Sequence, residues 1–290
     1  MTLKGAWEYG RNQLLEMDVT EASLDAWYLL EFVTHISRAS YFGNPDKSIT
    51  EEEWSCFQQL IAERMTRKPL QHITGIQEFM GLVFEVNEHV LIPRQDTEVL
   101  VETALDYIPR ECTDMTGAFK EVKNKVSVLD MCTGSGCILI SLMRMRNNVD
   151  GAGVDVSPEA LHVAKRNGEL NEVKPTWIES DLFENVRGEF DMIISNPPYI
   201  RSSIIEELEQ EVKSFDPMLA LDGKEDGLYF YREIIGKSIE YLKPQGMLLF
   251  EIGHDQGEEV SNYMIEKGFC EVTIKKDLAG LDRVVYGHVQ

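Results

Sequence analysis

After about residue 125 the chain alternates between short apolar strands and amphipathic helices. That order constrains the fold more than any other feature. VSVLD, GAGVDV, PTWIESD, FDMIIS and GMLLFEIG read as strands. GCILISLMRMR, ALHVAKRNGEL and a segment around DGLYFYREIIGKSIEYL read as helices between them. A strand that returns through a helix pairs in parallel, so the pattern predicts a mainly parallel, doubly wound α/β sheet. The tail, FCEVTIKKDLAGLDRVVYGHV, reads as two strands joined by a loop, an antiparallel addition at the sheet edge. Ser157-Pro158-Glu159 caps the second of the helices, with proline at its first position. ECTDMTGAFKEVKNK, 111 to 125, reads as a loop.

Upstream the texture differs. Residues 1–75 read as a small helical domain for partner contact or support. Apolar residues recur at three- and four-residue spacing in ASLDAWYLLEFVTHI, and Thr50 with Glu53 forms a capping box before EEEWSCFQQLIAERM. Two β-rich pieces, ITGIQEFMG and LVFEVNE, join through Gly81 and suggest a β-hairpin linker, placed at residues 76–92. Residues 93–290 form the third part, opened by a helix with Asp96 or Thr97 near its N-cap.

Bulk properties exclude several classes. Of 290 residues, 43% are hydrophobic and 27% charged, as in an ordinary globular protein. No apolar run approaches bilayer length, and the opening MTLKGAWEYGRNQ lacks an apolar signal-peptide core, so a cytoplasmic protein without membrane contact is expected. The five cysteines (Cys56, Cys112, Cys132, Cys137, Cys270) form no CxxC pair, and the six histidines show no ligand spacing. That fits a reducing compartment and no structural metal. The net charge of −22 repels phosphate backbones, so no direct nucleic-acid partner is expected. It suits a basic protein partner, or serves solubility alone.

Ligands of an open α/β sheet sit beyond the carboxyl ends of its strands, and the unusual residues fall there. The first strand ends at Asp130 and runs into Met131-Cys132-Thr133-Gly134-Ser135-Gly136-Cys137. The Gly-x-Gly turn permits close approach to a cofactor; alone it also suits NAD, FAD or plain packing. The second strand ends at Asp155, where a carboxylate accepts hydrogen bonds from ribose hydroxyls, or caps a helix, a task for which Ser157 is better placed. The third ends at Ser180-Asp181-Leu182, where Asp181 meets an adenine or serves as a turn residue.

The fourth strand ends in Asn196-Pro197-Pro198-Tyr199. Two prolines cannot continue a central strand, and each holds the residue before it extended. The Asn196 side-chain oxygen and the Pro197 carbonyl then face the cleft as two rigid acceptors for the hydrogens of a planar –NH2 group, with Tyr199 against its face. Such a clamp, beside a nucleoside pocket lacking phosphate machinery, suggests methyl transfer from S-adenosylmethionine. The sulfonium already carries a good leaving group, so alignment and exclusion of water are the main tasks.

The chain resembles the HemK/PrmC family of peptide chain release factor glutamine-N5 methyltransferases. The resemblance rests on PLQHITG (69 to 75), LIPRQDTEVLVE (91 to 102), VLDMCTGSGCI (128 to 138), GVDVSPEAL (153 to 161), SNPPYI (195 to 200), EDGLYFYR (225 to 232), LLFEIGHDQ (248 to 256) and KDLAGLDRVV (276 to 285). LIPRQDTE together with KDLAGLDR is the most particular of these. The resemblance implies a seven-stranded Rossmann-like methyltransferase sheet and an N-terminal helical bundle that helps bind the release factor. It also implies S-adenosylmethionine as cofactor and a Gly-Gly-Gln loop as acceptor. It places Cys132, Thr133, Gly134, Ser135, Gly136, Asp155, Asp181, Leu182 and Asn196 around the cofactor. Asn196, Pro197 and Tyr199 carry catalysis, and these three with Pro198 hold the substrate. A monomer is expected. Two positions depart from the family's pattern: Cys132 stands where it usually has glycine, and Leu182 where it often has tryptophan. Arg94 reads equally as a hinge or active-site-wall residue and as half of a structural ion pair; Glu98 has no assigned role. Two other readings remain: an adenine-N6 or guanine-N2 nucleic-acid methyltransferase, which shares the NPPY clamp, and a non-catalytic S-adenosylmethionine-binding adaptor.

Overall fold

The computed structural model describes residues 1–110 and 125–290; the loop expected at 111 to 125 lies, all but its last residue, outside the described residues. Two compact units are present. One comprises Met1–Ile76 with Glu209–Phe215, the other Gln77–Leu208 with Asp216–Gln290.

The first unit is helical: α1 (Leu3–Glu16), α2 (Ala22–Thr34), α3 (Arg38–Gly43), α4 (Glu51–Met65) and α5 (Leu70–Thr74). Thr50 and Glu53 form the expected capping box on α4, satisfying two of the backbone N–H groups that a helix start leaves unpaired. The core holds Leu14, Leu29, Leu30, Phe57 and Ile61. Beside it the buried Arg64 donates to Asp25 at 2.7 Å and to Glu211 at 2.8 Å. Burial raises the Asp25 pKa, and the hydrogen bond and charge of Arg64 oppose that shift.

The second unit opens with the hairpin β1 (Ile76–Phe79) and β2 (Leu82–Glu85), followed by α6 (Thr97–Tyr107). Then come β3 (Val126–Met131), α7 (Cys137–Met145), β4 (Val149–Asp155), α8 (Pro158–Leu170), β5 (Thr176–Glu179) and β6 (Phe190–Ser195). Short helices α9 (Ser202–Ile205), α10 (Gln210–Phe215, in the first unit) and α11 (Met218–Leu221) follow, then α12 (Tyr229–Ser238), β7 (Leu242–Glu251), α13 (Gly257–Glu266), β8 (Cys270–Lys276) and β9 (Asp282–His288). The sheet runs β5-β4-β3-β6-β7-β9-β8. Its first five strands pair in parallel, and β9 pairs antiparallel with both β7 and β8. The expected mainly parallel, doubly wound sheet with an antiparallel edge is therefore the observed fold.

Alternation along the strands builds two cores. Leu129, Ile193, Phe250 and Val285 face one way, onto Ile234 of α12 and Val260 of α13. Val128, Ile194, Leu249 and Val284 face the other, onto Leu100 of α6 and Leu139 of α7. Strands covered on both faces need continuous apolar runs, and FDMII and MLLF supply them. The hairpin is held on α8. Fully buried Asn167 accepts from the Glu85 N–H at 2.6 Å and donates to the Glu85 and Ser135 carbonyls at 3.0 and 2.9 Å. Glu98 accepts from the N–H of Met80, whose φ of 52° turns the hairpin.

Candidate active site

Strand order reverses between β3 and β6, since the chain runs outward through β4 and β5 and then returns to the other side of β3. Ligands of doubly wound sheets bind at this point. Met131 pairs with Ser195 in the register, and the Ser195 hydroxyl donates to the Met131 carbonyl at 2.6 Å. The loop after β3 and the Asn-Pro-Pro-Tyr turn after β6 thus start from one fixed point.

The loop after β3 is shaped by backbone geometry. Cys132, Gly134 and Gly136 have φ of 61°, 53° and 79°. A β-carbon at Gly136 would approach Trp177 to 2.9 Å, so this position requires glycine on steric grounds as well. The Gly134 N–H donates to Asp155 Oδ2 at 2.9 Å, and the Ser157 N–H donates to Oδ1 at 3.0 Å. Asp155 therefore ties the β3 and β4 turns together while Ser157 caps α8, as expected. Burial raises the Asp155 pKa, and these backbone hydrogen bonds oppose it. Beneath the loop, Asp130 is fully buried; it accepts from Thr133 Oγ1 at 2.5 Å, and its Oδ1 meets no partner among the described residues. Burial pushes its pKa up to about 7. The Cys132 thiol is shifted upward by burial first and by Asp155 second, so it stays a neutral thiol.

These turns surround one cavity. Cys132, Thr133, Gly134, Ser135, Asp155, Asp181, Leu182, Asn196 and Pro198 line it; Gly136, Pro197 and Tyr199 do not. Leu182 has φ of 46° and packs into the core, while Asp181 is exposed. Asn196 is half-buried, and its Nδ2 donates to Thr97 Oγ1 at 3.3 Å. With the nitrogen so engaged, Oδ1 is the end of the amide left to accept from a ligand. The Tyr199 hydroxyl donates to Glu251 Oε1 at 3.4 Å, and its ring packs against the core.

Several residues that sequence reading left without roles hold this arrangement. Gln256 donates from Nε2 to the carbonyls of Tyr199 and Gly227 at 3.0 and 3.2 Å. A β-carbon at Gly227 would collide with the Tyr199 carbonyl oxygen. The Ile200 N–H donates to Leu221 O, and the Gly223 N–H to Ile200 O. Segments 221–227 and 253–256 thus fix the turn from behind. Arg283 lies 3.0 Å from Asp96 and 3.1 Å from Asp277, which joins LIPRQDTE to KDLAGLDR. Arg94 lines the cavity and also pairs with buried Asp216 at 2.6 Å, so both of its sequence readings describe it. Their signal lay in the motifs that contain them, but their partners are distant in sequence.

The cavity has features an adenosine sulfonium ligand needs. A carboxylate stands at the β4 turn, a left-handed loop brings backbone close, and apolar side chains stand at the β5 turn. Among the described residues no cluster of His, Cys, Asp or Glu suits a metal ion, and no helix is long and apolar enough to cross a membrane.

Comparisons with known proteins agree with this geometry. Residues 5–75 match the PrmC N-terminal domain family, and residues 116–215 match the methyltransferase small domain family. A release factor glutamine methyltransferase of Geobacter sulfurreducens is 39% identical over 289 residues, covering 99% of this chain and 97% of that one. One from Clostridium acetobutylicum is 41% identical over 266 residues, covering 90% and 89%. Among solved structures, a methyltransferase from Pyrococcus furiosus aligns with a TM-score of 0.51 at 16% identity, over 80% of this chain and 96% of that one, which speaks to the fold alone.

Proposed function

Because the chain belongs to the release factor glutamine methyltransferase family, we propose that it methylates the side-chain amide nitrogen (N5) of a glutamine in the Gly-Gly-Gln loop of peptide chain release factors. The observation that carries this reading is Asn196. It stands at the switch point, lines the cavity, and has its nitrogen committed to Thr97.

S-adenosylmethionine supplies a methyl group on a positively charged sulfur, already bound to a good leaving group. The chain's residues bind, align and exclude water. Asp155 accepts from the ribose hydroxyls. Thr133, Gly134, Ser135 and Gly136 form the close backbone turn, with Cys132 at its entry, and Asp181 and Leu182 border the adenine. The Asn196 oxygen accepts one hydrogen of the acceptor amide and Pro198 borders its slot, while Pro197 and Tyr199, which stand outside the cavity lining, are proposed to take up the acceptor through the Pro197 carbonyl and the rigid turn. With S-adenosylmethionine bound, the methyl group it would supply would pass to the amide nitrogen held by Asn196 and Pro197, and one amide proton would leave to solvent as the sulfur departs as a neutral thioether.

Residues 1–75 serve as the release-factor-recognition domain, 76–92 as the linker and 93–290 as the catalytic part. The −22 charge favours a basic protein partner over direct nucleic-acid contact. The protein works as a monomer in the cytoplasm, where its substrate is found. Asn196→Ala tests the reading: kcat on release factor is expected to fall by about a hundredfold or more, with S-adenosylmethionine affinity little changed by calorimetry. Near-normal turnover would remove the clamp from the reaction.

A further inference from the structure

Among the described residues, two large apolar side chains line the cavity and yet stand well exposed, Val156 at 47% and Leu219 at 52%. Scattered exposed leucines need no explanation, but a leucine that is both in water and on a cavity wall marks the mouth. Val156 follows Asp155 at the β4 turn, the ribose side in the methyl-transfer reading. Leu219 lies in α11, in a stretch that also brings Pro217 and Ala220 to the cavity. None of these three has a polar side-chain atom.

This wall is built onto the turn after β6. The Ile200 N–H donates to the Leu221 carbonyl at 3.0 Å, and the Gly223 N–H donates to the Ile200 carbonyl at 2.8 Å. Ile200 directly follows Tyr199 and bridges in parallel to Asp222. Leu221 itself is buried. At the other end, buried Asp216 pairs with Arg94 at 2.6 Å. Residues 217–221 are therefore pinned at both ends, and Leu219 is held between them at the mouth, beside the turn that carries Asn196. A contact surface fixed in advance has less freedom to lose on binding.

A glutamine whose amide reaches Asn196 keeps its main chain outside, so its –CH2–CH2– stem crosses the mouth. The stem is apolar, and both it and an exposed leucine gain by leaving water together. We propose that Leu219 is a substrate-contacting residue, whose side chain packs on the aliphatic stem of the acceptor glutamine and guides its amide to Asn196. This rests on the methyl-transfer reading above. It assigns the acceptor side of the mouth to α11 and leaves Val156 on the cofactor side.

The test uses the full chain with saturating cofactor and two acceptors, intact release factor and a short Gly-Gly-Gln peptide. Leu219→Ala removes the contact with two methylenes, so kcat/KM is expected to fall about tenfold, mainly through KM. The factor should be the same on both acceptors, because both carry the stem. Leu219→Met should recover most of the loss. S-adenosylmethionine affinity by calorimetry and Tm should hardly move, since the side chain stands half in water; a merely structural role would shift them together with KM. Unchanged kcat/KM on both acceptors, a loss confined to intact release factor, or an equal loss of cofactor affinity would overturn the proposal. If the wild-type protein labels neither acceptor, the methyl-transfer reading fails and the proposal falls with it. Normal labelling by the wild type with an indifferent Leu219→Ala overturns the proposal alone.

Discussion

Cys132 and Leu182, the two departures from the family's usual residues, both occupy left-handed backbone, at φ of 61° and 46°. A residue with a β-carbon pays about 1–2 kcal/mol in that region, which gives a physical reason for glycine at the first position. Cys132→Gly should therefore keep methyl transfer and raise unfolding free energy by less than about 1 kcal/mol, since glycine's greater unfolded freedom offsets part of the relief; denaturant titration measures this. Loss of activity would show that the thiol has a role in the site. At Asp155, hydrogen bonds from ribose to a carboxylate contribute roughly 1.5–3 kcal/mol. Asp155→Ala should therefore weaken S-adenosylmethionine binding about tenfold or more, and the freed N–H of Gly134 adds to the loss. Calorimetry showing unchanged affinity would leave Asp155 as a turn brace. Cys132, Thr133, Gly134, Ser135, Asp155, Asp181, Leu182, Asn196 and Pro198 were legible because each stands at the end of an apolar strand, where ligands of this sheet type bind; cavity-lining Val90, Pro93, Pro217, Leu219 and Phe230 lie elsewhere in the chain and were not. Thr97, Glu251 and Gln256 were not. Thr97 meets Asn196 across 99 positions and Gln256 meets Tyr199 across 57, and no local pattern encodes such pairs.

At the scale of elements, the strand–helix alternation was readable because each parallel strand is a continuous apolar run and each crossover helix has its own cap or periodicity. The segment between β6 and α12 was not: α9 and α11 have four residues each, too few for a 3.6-residue period to repeat. α13 was also missed, though its ten residues include a regular apolar stripe through Val260 and Met264. The hairpin was legible as two β-rich pieces around Gly81, but its attachment depends on Asn167, 82 positions away. That side chain joins β2, α8 and the cofactor turn at once. Asn167→Ala removes the acceptor of the half-buried Glu85 N–H and leaves a void at a fully buried position, so it should cost roughly 2–4 kcal/mol and lower Tm by several degrees. A Tm unchanged in calorimetry would mean that the hairpin is held chiefly by the packing of Val86 and Val90, just beyond it, on Ala160 and Val163 of α8.

For the whole molecule, charge and topology point the same way. A net charge of −22 disfavours approach to a phosphate backbone, which supports the proposed protein acceptor. Under the proposed reading, recognition of the release factor by residues 1–75 adds the remote contacts that a glycine-rich acceptor loop lacks, and such contacts can be used to position the reacting amide. The most direct test of the central claim is to incubate the protein with methyl-labelled S-adenosylmethionine and purified release factor, alongside ribosomal RNA and DNA, and to locate the label. The account predicts label on the side-chain nitrogen of the glutamine in the Gly-Gly-Gln loop and none on nucleic acid. Label on a base, on another residue, or nowhere would contradict it.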